Sequence, residues 1–319
     1  KLLWTRRARD GLRHNAIAIG RGQIFCIDRL PEGMIRSGRW RGREGAAKPT
    51  FRLLALDLRT GSVLWSTAQN VVGTWLAYSE EQDVLLQAGR PSQDMLPEPS
   101  DRMIAYQGES GHVLWDKRQR HEGPCMLRGE TILTQAEAFG LLTGERAMRP
   151  HPLTGEPVPW TFTRNYGCGT ATASVNLLTF RSAAAGFFDL ARNGGTGNLG
   201  GFRSGCTSNL IVANGVLNAP DYTRTCTCSY QNQASLAFVH EPLVDMWTFQ
   251  QVKRSDDPIR RVGVNLGAPG DRLDDAGTLW LDYPSVGGPS PHVPIHVRPE
   301  KPRWFSHHSS WVLPISDSG

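Results

Sequence analysis

LLALDLRTGSVLW (Leu53–Trp65) returns fifty residues later as MIAYQGESGHVLW (Met103–Trp115). Each copy has apolar residues, an Ala, a short polar stretch with a hydroxyl residue and Gly, and three more residues before a Trp. The pattern predicts a strand, a tight turn at RTG or ESG, and a second strand ending on the indole. A two- to four-residue hairpin turn usually needs a residue at positive φ, which Gly supplies without steric cost. The alternation Leu54, Leu56, Leu58 and then Val63, Trp65 suits strands packed between neighbouring sheets.

Aligned on tryptophan, the copies end at Trp4, Trp65, Trp115 and Trp160, at intervals of 61, 50 and 45 residues. The first interval is lengthened by a polar insertion, Asp28–Thr50, and the last copy, HPLTGEPVPW, carries one extra residue before its Trp. A period of about 40–50 residues with several strands per unit is that of a β-propeller blade. HNAIAIGRGQIFCIDRL, GTWLAYSEEQDVLLQAG and CMLRGETILTQAEAFGL each supply two further strands around a turn. With 34 Gly and 21 Pro in 319 residues, and few apolar residues at helical spacing, the chain reads as all-β.

The pattern at Ala55, Asp57, Thr60, Gly61 and Trp65 resembles the tryptophan-docking motif of pyrroloquinoline-quinone (PQQ) type propellers. In that family the indole stacks on the next blade and its N–H reaches a backbone acceptor near the Ala. The copy at Ala105, Gly111 and Trp115 departs from it, with Gln107 for Asp and Ser110 for Thr, and Trp160 closes a partial copy. The resemblance implies about five four-stranded blades over residues 1–242. It extends to bacterial exported proteins, and it is structural, shared by quinoprotein dehydrogenases and by propellers that bind no quinone.

If a quinone is held, the family chemistry needs cations for three carboxylates, a planar stacking residue and a Ca²⁺ bound by oxygen ligands. Arg181 and Arg203 can supply cations, Asp189, Asn209 and Asp221 oxygens, and Tyr166 or Trp160 a ring. The competing reading places the arginines in inter-blade ion pairs and the aspartates in turns. The vicinal cysteine pair of quinoprotein alcohol dehydrogenases has no counterpart, since Cys226 and Cys228 are separated by Thr227. Two functions follow: an exported scaffold that binds an envelope protein or a glycan, or a dehydrogenase oxidising an alcohol or sugar with PQQ and calcium.

From about residue 243 the composition changes. Val264-Asn265-Leu266-Gly267 and Gly277-Thr-Leu-Trp280-Leu-Asp282-Tyr283 resemble the opening strands of a malectin-like carbohydrate-binding sandwich, incomplete at residue 319. Six cysteines without CxxC spacing disfavour a zinc ribbon. Cys168, Cys206, Cys226 and Cys228 are disulfide candidates, with Cys168 or Cys206 pairing one of the other two, and Cys26 reads as a core thiol. A net charge of +5 comes from arginines scattered over loops, without the aromatic interleaving of a nucleic-acid groove. No apolar run reaches the ~20 residues of a membrane helix. KLLW at the start looks like the end of a repeat begun earlier, so a fragment of a periplasmic, surface or secreted protein is expected.

Hydrolase motifs are absent from the sequence. His307-His308 beside Ser306, Ser309 and Ser310 reads as a loop pair. Asp271, Asp274 and Asp275 have a calcium-loop look but lack its closing glutamate, so a solvated turn is expected. GGTGNLGG (Gly194–Gly201) is expected to be a flexible loop.

Overall fold

The computed structural model describes residues 1–30, 51–90, 98–199, 202, 210–220, 234–241, 245–253, 255–303 and 311–312. Among them every regular element is a strand, and the chain divides into two compact units, Lys1–Ala147 and Met148–Gly319. The composition change near residue 243 thus falls inside the second unit.

The first unit is a series of antiparallel sheets whose strands pair in chain order. One sheet contains β1 (Leu12–Gly20), β2 (Gln23–Asp28), β3 (Arg52–Asp57) and β4 (Val63–Thr67). The next contains β5 (Trp75–Ser79), β6 (Val84–Arg90), β7 (Glu98–Gln107) and β8 (Val113–Arg118). A smaller one has β9 (Met126–Arg128), β10 (Thr131–Leu133) and β11 (Ala138–Gly140), with Phe139 bridging to Arg146. Such four-stranded meanders are the blades that the repeat predicts.

Side chains alternate across each strand, so a central strand feeds two cores. Leu53 and Ala55 join Phe25, Ile27, Leu85, Ile104 and Tyr106 between the first two sheets. Leu54 and Leu56 face the other way, with Cys26 and Trp4. In the second sheet Val84, Leu86, Met103 and Ala105 pack with Trp115, Ile132 and Phe139. The expected alternation stops at Leu56, because Leu58 and Val63 flank the turn and are 39% and 43% exposed.

One buried polar group sits between these sheets and is fully bonded. Gln87 accepts from the Val72 and Gly73 amides, both at 3.0 Å, and donates to Asn70 O and to Tyr106 Oη. It ties the entry of β5 to β6 and β7, as a buried amide must if it is not to be a liability.

In the second unit, β12 (Met148–Pro150) and β13 (Pro157–Pro159) form a hairpin. A four-stranded sheet follows, β14 (Thr172–Ala173), β15 (Leu177–Ser182), β16 (Ala184–Asp189) and β17 (Gly195–Asn198). Gly195–Asn198, in the stretch read as a flexible glycine loop, are therefore strand. Gly197 lies against the Phe187 ring, where any side chain would collide. Next come β18 (Ile211–Ala213), β19 (Val216–Ala219) and β20 (Leu236–Val239). Asn214 and Gly215, both at positive φ, turn between β18 and β19 as Asn-Gly predicts. Ile211, however, is 46% exposed, so β18 is not the buried inner strand that its apolar run suggests.

The last elements are β21 (Asp245–Met246), β22 (Gly263–Leu266), β23 (Arg272–Leu273), β24 (Leu279–Tyr283) and β25 (Trp311–Val312). β22 runs parallel to β24, β23 antiparallel to it, and β21 pairs with β25.

Two turn glycines separate backbone strain from docking. Gly22 and Gly111 share φ of 72°, but a Cβ on Gly22 meets nothing while one on Gly111 falls 2.7 Å from the Trp65 ring. Gly22→Ala is expected to cost about 1–2 kcal/mol, the left-handed penalty alone. Gly111→Ala should cost about 1–3 kcal/mol more, for overpacking. Urea unfolding of the two variants measures the difference, and equal losses would mean that the indole contact contributes nothing.

Candidate functional site

The motif residues are all engaged in joining one sheet to the next. The Trp65 indole lies on Gly111 and donates from Nε1 to Gly108 O at 2.8 Å. Trp4 does the same with Gly61 and Leu58 O, at 3.0 Å, and Trp115 with Gly144 and Leu141 O, at 2.8 Å. The acceptor is thus the third residue after Ala55, Ala105 or Ala138, whose small side chains are buried beneath. Each turn glycine has positive φ and lacks the Cβ that would strike the ring. Trp160 varies the scheme by donating to Asn193 Oδ1 at 2.6 Å and meeting Phe188 edge-on.

The residues before the glycine close the turn. Asp57 Oδ1 accepts from the Arg59 and Thr60 amides and the Thr60 hydroxyl. These bonds hold its carboxyl below the usual range. Where Gln107 replaces the aspartate, Asp83 in the turn before β6 takes over. Its carboxylate accepts from Gln107 Nε2 at 2.6 Å, Glu109 N at 3.2 Å and Tyr78 Oη at 2.5 Å. In HPLTG the same job falls to His151, whose Nδ1 faces the Leu153 and Thr154 amides at 3.3 Å. Its Nε2 faces Lys253 O at 3.1 Å. The hydroxyls of Thr60, Ser110, Thr143 and Thr154 each accept the amide two residues on.

Asp189, a candidate calcium ligand, belongs to this series, with Oδ1 accepting from the Ala191 and Arg192 amides. Arg181 is 4% exposed at the opposite end of the β15–β16 hairpin. Arg181 pairs with Ala185 and Leu177 with Asp189, which separates the two residues' backbones by roughly 13 Å along the ladder. Tyr166 is 76% exposed and accepts the Ala183 amide through its carbonyl. Of the described members of the quinone set, Arg181 and Asp189 thus stand at opposite ends of one hairpin and Tyr166 is exposed. Arg203, Asn209 and Asp221 lie outside the described residues, as do His307, His308, Cys206, Cys226 and Cys228.

Cys168 carries a free thiol, 3.8 Å from Tyr166 Oη, so a disulfide through Cys168 is not formed. Cys26 and Cys125 are buried thiols, pushed by burial to about 11 and about 12. Among the described residues no cluster of three or more His, Cys, Asp or Glu is placed to hold a metal. No helix among them is long and apolar enough to cross a membrane.

The aspartates of GAPGDRLDDAGT have three different fates. Asp275 is exposed and pairs with Arg192 at 3.0 Å. Asp274 caps its turn, accepting from Thr278 N and from Trp280 Nε1. Asp271, expected in a solvated turn, is fully buried because its backbone pairs with Thr248. Its carboxyl accepts from Gln250 N at 3.0 Å and Asp282 N at 3.3 Å. Burial, aided by the nearby Asp282 carboxylate, pushes it up to about 6.

A cleft of about 440 Å³ opens close by in the second unit, with Arg149, Arg192, Arg260, Arg261, Pro152 and Gln250 in its wall. The sequence gives no pattern for it, since these residues come from four separate segments. A run of arginines flanking the repeat (Arg149, Arg192, Arg260-Arg261) is the one signal that could have pointed there.

No family model matches the chain, and neither does any curated protein sequence. Among solved structures it is similar to BamB from Moraxella catarrhalis, at 18% identity and a TM-score of 0.43, over 68% of this chain and 57% of BamB. A europium-containing methanol dehydrogenase is 13% identical with a TM-score of 0.32, covering 62% of this chain and 38% of its own. The quinohemoprotein alcohol dehydrogenase of Pseudomonas putida HK5 is 13% identical with a TM-score of 0.29, covering 71% and 34%. The chain thus spans less than two thirds of the length of each.

Asp28 in the first unit and Asp271 in the second are shifted in opposite directions. Burial works against the Asp28 carboxylate, but the amides of Arg9, Asp10 and Gly11 at 2.7–2.9 Å outweigh it and lower its pKa. Its contribution is present above the ordinary Asp range and is lost as pH falls through the lowered folded value. Asp271 is raised, so its contribution is full below about pH 4 and is lost as pH rises through about 6. Hydrogen exchange between about pH 4.5 and 7 should show protection falling around Thr248 and Asp271 but not around Arg9–Gly11. Asp271→Asn should flatten the first trend, and a parallel pH response in both regions would contradict this assignment.

Proposed function

We propose that the protein is an exported propeller-type scaffold that binds or assembles a partner at the cell envelope. One observation carries this reading. β4 and β8 end their sheets, and among the described residues each is paired on one side only. Each shows adjacent apolar side chains at the same point of the repeat. Val63 and Leu64 are 43% and 49% exposed, and Val113 and Leu114 43% and 39%. An unpaired edge with exposed apolar residues is a template for an added strand. The partner that fits is an extended segment of an envelope protein, its backbone completing the ladder. A glycan partner is assigned to the segment from residue 243 onward, as the start of a malectin-like domain.

The alternative, PQQ- and calcium-dependent oxidation of an alcohol or sugar, has less support. The chemistry available at Asp57, Asp189 and the tryptophans is already committed to turns and joints. Two measurements separate the readings. With PQQ and Ca²⁺ added in excess, the purified protein is expected to retain no quinone absorbance after desalting and to drive no dye-linked oxidation of alcohols or sugars. Saturable quinone binding with turnover would replace the scaffold by the dehydrogenase. In cross-linking within envelope preparations, Leu64→Lys with Leu114→Lys should lose a specific adduct while keeping the wild-type melting temperature. An unchanged adduct pattern would remove the edge strands as the docking element.

A further inference from the structure

The arginine cleft of the second unit has two unmet bonding demands. Arg149 stands in β12, and its Nε is buried without a hydrogen-bond partner. Among the described residues no carboxylate pairs with it, and burial alone draws its guanidinium below the usual arginine value. The other cleft arginines are occupied: Arg192 by Asp275, Arg260 by Glu156, and Arg261 by Ala276 O. Four guanidiniums against two carboxylates leave two uncompensated cations, Arg149 and Arg261, and of these only Arg149 carries a buried nitrogen without a partner. A half-buried cation without a counter-ion is costly unless something anionic completes it.

Gln250 makes the complementary demand. It is 1% exposed and held by two bonds, its N to Asp271 Oδ2 at 3.0 Å and its Nε2 to Asn193 O at 2.8 Å. Its Oε1 is buried and accepts nothing. The same cleft thus offers a fixed donor for an anion and a fixed acceptor for a hydroxyl or amine. Pro152 and Leu153 add an apolar wall, and His151 is also in the lining, with no Phe, Tyr or Trp among the described residues there. Its volume, about 440 Å³, falls in the range of small-molecule sites, roughly 300–1,000 Å³, and exceeds what a bare anion fills.

We propose that this cleft binds an anionic sugar unit, its acidic group held by Arg149 and one of its hydroxyls donating to Gln250 Oε1. A carboxylate and a phosphate meet the guanidinium equally well as acceptors, so a uronic acid and a sugar phosphate share this chemistry. The inference does not need the edge strands to dock a partner, and it stands or falls separately from quinone binding.

Calorimetric titration of the full chain with glucuronic acid, glucose 6-phosphate, glucose and inorganic phosphate tests it. One of the two acidic sugars should bind at least about 10-fold more tightly than glucose and than inorganic phosphate, the tighter one identifying the anion. Charge-assisted hydrogen bonds of this kind support about a 10- to 100-fold loss in Arg149→Met and a smaller one in Arg149→Lys. Glucose binding as tightly as both acidic sugars would overturn the anion role. Phosphate binding as tightly as both would overturn the sugar. A folded Arg149→Met with wild-type affinity would overturn the placement. Should Arg149→Met fail to fold, the four-ligand comparison on the wild type still decides, and no binding of either acidic sugar overturns the proposal.

Discussion

A flat indole over a glycine that has no Cβ is the contact on which the first unit depends. The glycine must be there twice over, for its positive φ and for the space that Trp4, Trp65 and Trp115 occupy. The indole N–H then finds a carbonyl at a fixed offset from the buried Ala. Dispersion, a hydrogen bond and a backbone conformation thereby select one register between sheets. The cores on either side, around Phe25 and Ile104 and around Leu86 and Ile132, follow from that spacing.

The turn beneath the indole shows one constraint met by different chemistry. The turn amides need an acceptor, and Asp57, the Asp83 carboxylate lent from the neighbouring β5–β6 turn, the His151 ring and Asp189 each supply one. Substituting Gln107 for aspartate is tolerated because Asp83 is within reach of both the amide and the new side chain. Polar residues that look available for catalysis in a list of types are, in these places, spent on the backbone.

This decides what could be read from the sequence. Gly, hydroxyl and Trp at constant spacing announce the joint, because that chemistry is local and tolerates few alternatives. The copy AFGLLTG (Ala138–Gly144) escaped the tryptophan alignment because Met148 stands where the next indole would be. It has its Gly and its acceptor nonetheless, as the seat of Trp115. Asp271 looked solvated because three acidic residues in a glycine-rich stretch usually are. Only its pairing with Thr248, more than twenty residues away, buries it. The cleft around Arg149 and Gln250 was illegible for the same reason, being assembled from contacts that leave no periodic trace.

Met148 carries a further meaning. Joints between successive sheets act only on nearest neighbours, so a chain of them behaves as a row of cassettes, each added or lost without redesigning the rest. The indole is missing at Met148, and the chain divides into its two compact bodies between Ala147 and Met148. A single side chain, absent where the repeat calls for it, thus coincides with the boundary at which one compact body of the chain gives way to the next.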